Sequence, residues 1–176
     1  GLDNAITPED CGKKDAQQVA RRLYEEALIN YQRKRKELAQ TVLPVFKNIR
    51  ETQGQQIQNV MVPFSDGRKG IQVLANLDKV MQTSGAELAN MLERSVTLFL
   101  IDDTWKEHLR AMDDLKQSVQ TAHYEQKDPL VIYKGEAFNL FSQMNGQISN
   151  NIVSFLCHAE LPVQQNVPIQ AGREEK

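Results

Sequence analysis

The chain carries two cysteines in 176 residues, Cys11 and Cys157, near opposite ends. That is too few for a disulfide framework and fits a reducing compartment. Aromatic residues reach only 6%, so any core must be mostly aliphatic. No stretch approaches ~18 consecutive apolar residues, which excludes a transmembrane helix. Neither charge dominates: 21 Lys and Arg stand against 23 Asp and Glu, a net charge of −2, so bulk charge does not attract nucleic acid. The phosphate-cradling pattern G-x-x-x-x-G-K-[ST] does not occur. The three histidines, His108, His123 and His158, form no metal-binding pair. The Glu107-His108 step lacks the second His of H-E-x-x-H geometry. Cys157 and His158 are adjacent, and neighbouring helical side chains point ~100° apart, so the pair reads as structural. The residues therefore predict no catalytic group, no cofactor ligand and no metal ligand.

What is present is an ordinary soluble composition, 40% hydrophobic and 25% charged. That excludes disorder along the whole length and allows one domain or two small ones. The start, Gly1-Leu2-Asp3, has no initiator Met, no basic cluster and no apolar run. No signal peptide is expected, and the chain reads as a segment of something longer.

The first dozen residues hold Pro8 and Gly12 among turn formers. From Asp15 to about Gln40, Val19, Leu23, Ala27, Tyr31 and Leu38 recur at helical spacing, with a gap at Lys34. This predicts an amphipathic helix. Pro44 is expected to break or kink it, leaving a second piece from Val45 to about Gln53. Residues 57–77 favour strands around Asp66-Gly67, a strong turn dipeptide. They predict a short β-hairpin that must pack on helices to persist.

Between Ala86 and Asp128 lie 43 residues without Gly or Pro. Leu98, Ile101, Trp105, His108, Met112, Leu115, Val119 and Ala122 follow one another at steps of three and four, a coiled-coil-like seam. A helix to Tyr124 would run ~58 Å at ~1.5 Å per residue. Lys127-Asp128-Pro129 interrupts it. A second pattern follows through Ala137, Phe138, Phe141, Met144, Ile148, Ile152, Phe155 and Leu156, so the two helices should be antiparallel. Residues 162–176 read as a flexible tail. The fold class is thus mainly α, a long antiparallel helical hairpin beside a smaller helical region with a β-hairpin. Trp105, Met112, Leu115, Phe141 and Ile148 are the expected core of the hairpin.

Two features invite a functional reading. The carboxylates Asp102, Asp103, Glu107, Asp113 and Asp114 alternate with Lys106, Arg110 and Lys116, which suits a solvated face with weak ion pairs. Residues 13–50 hold ten Lys or Arg and four Asp or Glu, +6 in all, with a run at Arg33-Lys34-Arg35-Lys36. A free-standing basic helical module, binding nucleic acid or an anionic membrane, is the alternative this run supports. It lacks aromatic stacking platforms and a helix-turn-helix pattern.

Two motifs are more specific. Trp105-Lys106-Glu107-His108-Leu109-Arg110-Ala111-Met112-Asp113-Asp114-Leu115-Lys116-Gln117 resembles W-K-E-H-L-x-x-M-D-x-L-[RK]-Q of the SecA family, the ATP-driven motors of bacterial protein export. Tyr124-Glu125-Gln126-Lys127-Asp128-Pro129-Leu130-Val131-Ile132-Tyr133-Lys134 resembles that family's Y-x-Q-K-D-P-x-x-x-Y-K. The likeness covers Ala86 to Leu161 well. More loosely, residues 1–78 resemble the helical wing of Bacteroidetes-type members. It implies a wing over 1–78 with its β-hairpin at about 57–77. A scaffold with a two-helix finger follows over 79–161, its helices at about 86–124 and 131–159.

For the whole motor the resemblance implies ATP and Mg, a preprotein, the SecY channel complex and the chain's own nucleotide-binding domains as partners. Anionic lipids and a homodimer are further partners it allows, and nucleic acid is not expected. The location it implies is cytoplasmic and peripheral, at the cytoplasmic face of the inner membrane. The finger-tip contact with preprotein and channel falls on Tyr124, with His123, Gln126 and Lys127 beside it. The chain departs from the family at Thr121-Ala122-His123, where Leu-Arg-Gly or Leu-Arg-Ala is common, and at Gly135, where a charged or larger residue is common. Walker motifs and the zinc tail are absent, so no ATPase is expected of this segment alone.

Overall fold

The computed structural model describes residues 16–53, 57–121 and 128–162. Among them are four helices and one two-stranded antiparallel sheet: α1 (Ala16–Gln53), β1 (Asn59–Ser65), β2 (Gly70–Asn76), α2 (Leu77–Gln82), α3 (Ala86–Thr121) and α4 (Pro129–His158). The mainly α class with a β-hairpin, expected from the sequence, is what the chain adopts. The chain divides into two compact units. Among the described residues, the first takes in 16–53, 57–61 and 74–91; the second takes in 62–73, 92–121 and 128–162.

In the first unit, α1 runs unbroken through Pro44, against the expected break. Proline removes one backbone donor, the one that would reach the Gln40 carbonyl. Both residues are exposed, so water can serve that carbonyl. Val42, Phe46 and Ile49 meanwhile bury one stripe of the same stretch, and their burial offsets the lost bond. Upstream, Val19, Leu23, Ala27, Tyr31, Lys34 and Leu38 are half-buried, so the charged residue simply occupies its place in the stripe. Helix α2 starts at Asn76, whose side-chain oxygen accepts from Lys79 N at 3.0 Å. It contributes the buried Leu77 and Val80, and Arg50 pairs with Asp78.

Between α2 and α3 the chain turns through Ser84 and Gly85, both at positive φ (52° and 90°). The fit is close: a Cβ on Gly85 would lie 2.8 Å from the Ala39 carbonyl oxygen and 2.9 Å from Ala39 Cα. Only glycine both tolerates that backbone and allows α1 so near. Arg35 Nη2 donates to Asn90 Oδ1 at 2.6 Å in the same unit.

The hairpin shows strand alternation. Every second residue of β1 and β2 is buried: Val60, Val62 and Phe64, then Ile71, Val73 and Ala75. Its turn is in the second unit, closed by Asp66 Oδ1, which accepts from Arg68 N at 2.8 Å and Lys69 N at 2.6 Å. The two amides, Lys69 foremost, hold the Asp66 carboxyl below its ordinary range. Gly67 occupies the positive-φ position at 84°. Ser65 exchanges two backbone hydrogen bonds with Glu160 (3.0 and 2.8 Å), which pins the chain leaving α4 beside β1.

Candidate functional site

The expected site is the helical pair of the second unit and its tip. The tip residues His123, Tyr124, Gln126 and Lys127 lie outside the described residues. The helices leading to them are described. Helix α3 ends at Thr121, and α4 begins with Asp128 as its cap, Oδ1 accepting from Leu130 N at 2.9 Å, and with Pro129 in its first turn. Proline there has no donor to waste and carries φ near the helical value.

The buried stripe of α3 steps through Leu92, Val96, Leu100 and Thr104 at intervals of four. It continues through the half-buried His108, Met112 and Leu115 to the buried Val119. On α4 the stripe is Ala137, Leu140, Met144, Ile148, Ile152 and Phe155, with Met144 and Phe155 fully enclosed.

Two of the expected core residues are not core. Trp105 is 43% exposed and Phe141 44%. Each sits one residue, ~100° of helix, past a stripe position: Trp105 after Thr104, Phe141 after Leu140. A two-helix pair covers one stripe on each helix, so a ring one step off is left at its margin. Met112, Leu115 and Ile148 are half-buried. The first half of the expected seam is displaced with Trp105, since Leu98 is 68% exposed and Ile101 lies at the surface too. The seam read through Leu98, Ile101 and Trp105 passed over Thr104, which is buried. Stepping by four from Leu92 would have found it.

The rings at the margin meet across the pair. The Trp105 and His108 centroids are 5.5 Å apart, and His108 meets Phe141 edge-on at 6.1 Å. This contact ties α3 to α4. Around it, Leu98, Ile101 and Leu109 on α3 and Phe138 on α4, 70% exposed, leave a run of large apolar side chains in solvent. Contiguous apolar exposure of this kind marks interaction surfaces.

The charged residues behave as solvated groups. Lys106 pairs with Asp102 along the helix at 2.6 Å. Asp103 is instead held at 2.9 Å by Lys69 of the β-turn, a cation that also lies 5.8 Å from the Phe99 ring centre. That contact lowers the Asp103 pKa. On α1, Arg21 pairs with Glu25, Arg22 with Glu26 and Arg33 with Glu37, each one helical turn on. Among the described residues no group of His, Cys, Asp and Glu could hold a metal ion, and no helix is long and apolar enough to cross a membrane.

Comparison with known proteins gives a consistent result. The family model described as SecA Wing and Scaffold domain matches residues 3–160. Protein translocase subunit SecA of Cytophaga hutchinsonii is 41% identical over 175 residues, covering 99% of this chain and 16% of that protein. The SecA subunits of Phocaeicola vulgatus and Christiangramia forsetii are each 40% identical, again over 99% of this chain, and 17% and 16% of those proteins are covered. The chain thus spans about one sixth of the length of these curated relatives. No solved structure matches it.

Proposed function

The chain belongs to the SecA wing and scaffold family, and from that membership we propose that it is the wing and scaffold segment of a SecA-type preprotein translocase motor. Its work is mechanical. The helical pair couples the ATPase domains to movement of a polypeptide through the SecY channel, and the tip residues, Tyr124 foremost, touch the moving chain. ATP and Mg are handled by the nucleotide-binding domains of the whole motor, at the cytoplasmic face of the inner membrane, and this segment supplies no chemistry of its own.

The observation that carries the reading is the exposed apolar margin of α3 and α4. A pair of helices that keeps Leu98 and Phe138 more than two-thirds exposed is an unfinished surface when taken alone, as a piece one sixth of a larger protein should be.

The test uses the complete motor. Leu98→Ser and Phe138→Ser, singly and together, should leave the melting of the isolated segment unchanged, because both side chains are already in water. In the complete motor they should uncouple ATP hydrolysis from preprotein transport into SecY-containing vesicles. Full coupling in the double variant would overturn the docking role of this margin.

A further inference from the structure

The second unit contains a groove that the motor reading does not use. Its volume is about 480 Å³, within the ~300–1,000 Å³ of small ligand sites. The β1–β2 turn forms one side, at Arg68. The last turns of α4 form the other, at Asn151, Ser154 and His158, and the buried Leu100 and Phe155 line it from below. Several groups of this groove are already engaged: Asp66 Oδ1 by the Arg68 and Lys69 amides, the Lys69 ammonium by Asp103, the Ser154 carbonyl by His158 Nδ1 at 2.8 Å, and the Phe155 carbonyl by Ala159 N at 2.7 Å. Three donors of the lining are open. Arg68 makes no side-chain hydrogen bond or ion pair among the described residues, nor do the Asn151 amide and the Ser154 hydroxyl.

We propose that this groove binds a carboxylate of an acidic peptide segment, with Arg68 as its principal contact and Asn151 and Ser154 as supporting donors. Three arguments select that ligand. A guanidinium offers two parallel N–H donors that match the two oxygens of a carboxylate. The apolar residues beneath suit an aliphatic neighbour of the acidic residue, which a free inorganic ion lacks. The negative end of α4 and the Asp66 carboxylate lie close by, and both oppose anions. A singly charged carboxylate is matched by the guanidinium of Arg68, whereas a phosphate dianion would leave a second charge unmatched against these groups.

The experiment is fluorescence anisotropy on the 176-residue chain in low salt, with a fluorescein-labelled Leu-Glu-Leu-Glu peptide blocked at both ends and its Leu-Gln-Leu-Gln counterpart. The Glu peptide should bind saturably, and the Gln peptide at least about tenfold more weakly, the size expected for a charge-assisted pair. Arg68→Gln should weaken the Glu peptide by about tenfold, Arg68→Lys by less, and Ser154→Ala by a smaller factor. Arg94→Gln, an exposed arginine outside the groove, should change nothing. Circular dichroism confirms that each variant folds, and Arg68 is exposed in a turn, so its loss leaves the fold intact. Equal binding of the two peptides, unchanged binding by Arg68→Gln, no binding at millimolar peptide, or displacement by inorganic phosphate more readily than by acetate would each overturn the assignment.

Discussion

Gly85 and Gly67 form a natural pair for separating backbone strain from crowding. Their φ angles nearly coincide, +90° and +84°, in a region that L side chains rarely adopt. Their surroundings differ completely. A Cβ at Gly67 meets nothing within 4 Å, whereas at Gly85 it would lie 2.8 to 2.9 Å from three atoms of Ala39, two of them backbone. Alanine at either site carries the left-handed penalty of ~1–2 kcal/mol. Reduced freedom of the unfolded chain gives back ~0.4–1 kcal/mol, so Gly67→Ala should cost about 0–1.6 kcal/mol. At Gly85 no flexible side-chain end can swing away, and α1 itself must move. Overpacking of that kind adds ~1–3 kcal/mol, for a total of about 1–4.6 kcal/mol. The assay is urea unfolding followed by helical circular dichroism, comparing midpoints at constant slope. If Gly85→Ala proves no more destabilising than Gly67→Ala, then α1 does not approach the start of α3 as described.

The remaining predictions are shorter. Phe155→Ala should cost ~3–5 kcal/mol, as for an enclosed aromatic ring, while Trp105→Ala should cost about 1–2 kcal/mol because much of that ring is already in water; the same urea titration ranks them, and an equal loss would return Trp105 to the core. The Asp66 carboxyl is held low by turn amides, so its contribution is complete above the unfolded value of ~3.9 and is lost as pH falls through the lower folded value. Exchange protection of the Arg68 and Lys69 amides should therefore fade below about pH 4, and Asp66→Asn should remove that pH dependence; a profile identical to wild type would refute it. Tyr124→Ala should reduce preprotein transport by the complete motor without changing the melting of this segment, with Tyr124→Phe retaining part of the activity; normal transport with alanine would end the tip-contact role.

The legible parts of this sequence are those where one local rule dominates. Forty-three residues without a helix breaker admit few alternatives to a long helix, and Asp66-Gly67 between β-branched runs gives a hairpin for reasons of backbone geometry alone. Pro44 misled because the proline rule is local, while the stripe of Val42, Phe46 and Ile49 earns its stability from packing that no window of sequence displays. Arg68 was invisible as a site residue for the same reason. Its relation to Asn151 and Ser154 spans more than 80 positions and exists only once the β-turn and the end of α4 are brought together.

The displaced seam carries the larger lesson about function. Spacing at steps of three and four put Trp105 inside and left out Thr104, yet the helix buries the threonine and leaves the tryptophan at the margin. A free-standing hairpin selected only for stability would place its largest ring where most area is hidden, since burial contributes roughly in proportion to area. Here Trp105, Phe138 and Phe141, with Leu98 and Leu109, are all left substantially in water. The same residues that make the hairpin a poor minimum by itself make it a good surface for a second layer. The cost of exposing them is repaid only where something covers them, as expected of a segment whose matched relatives are about six times its length.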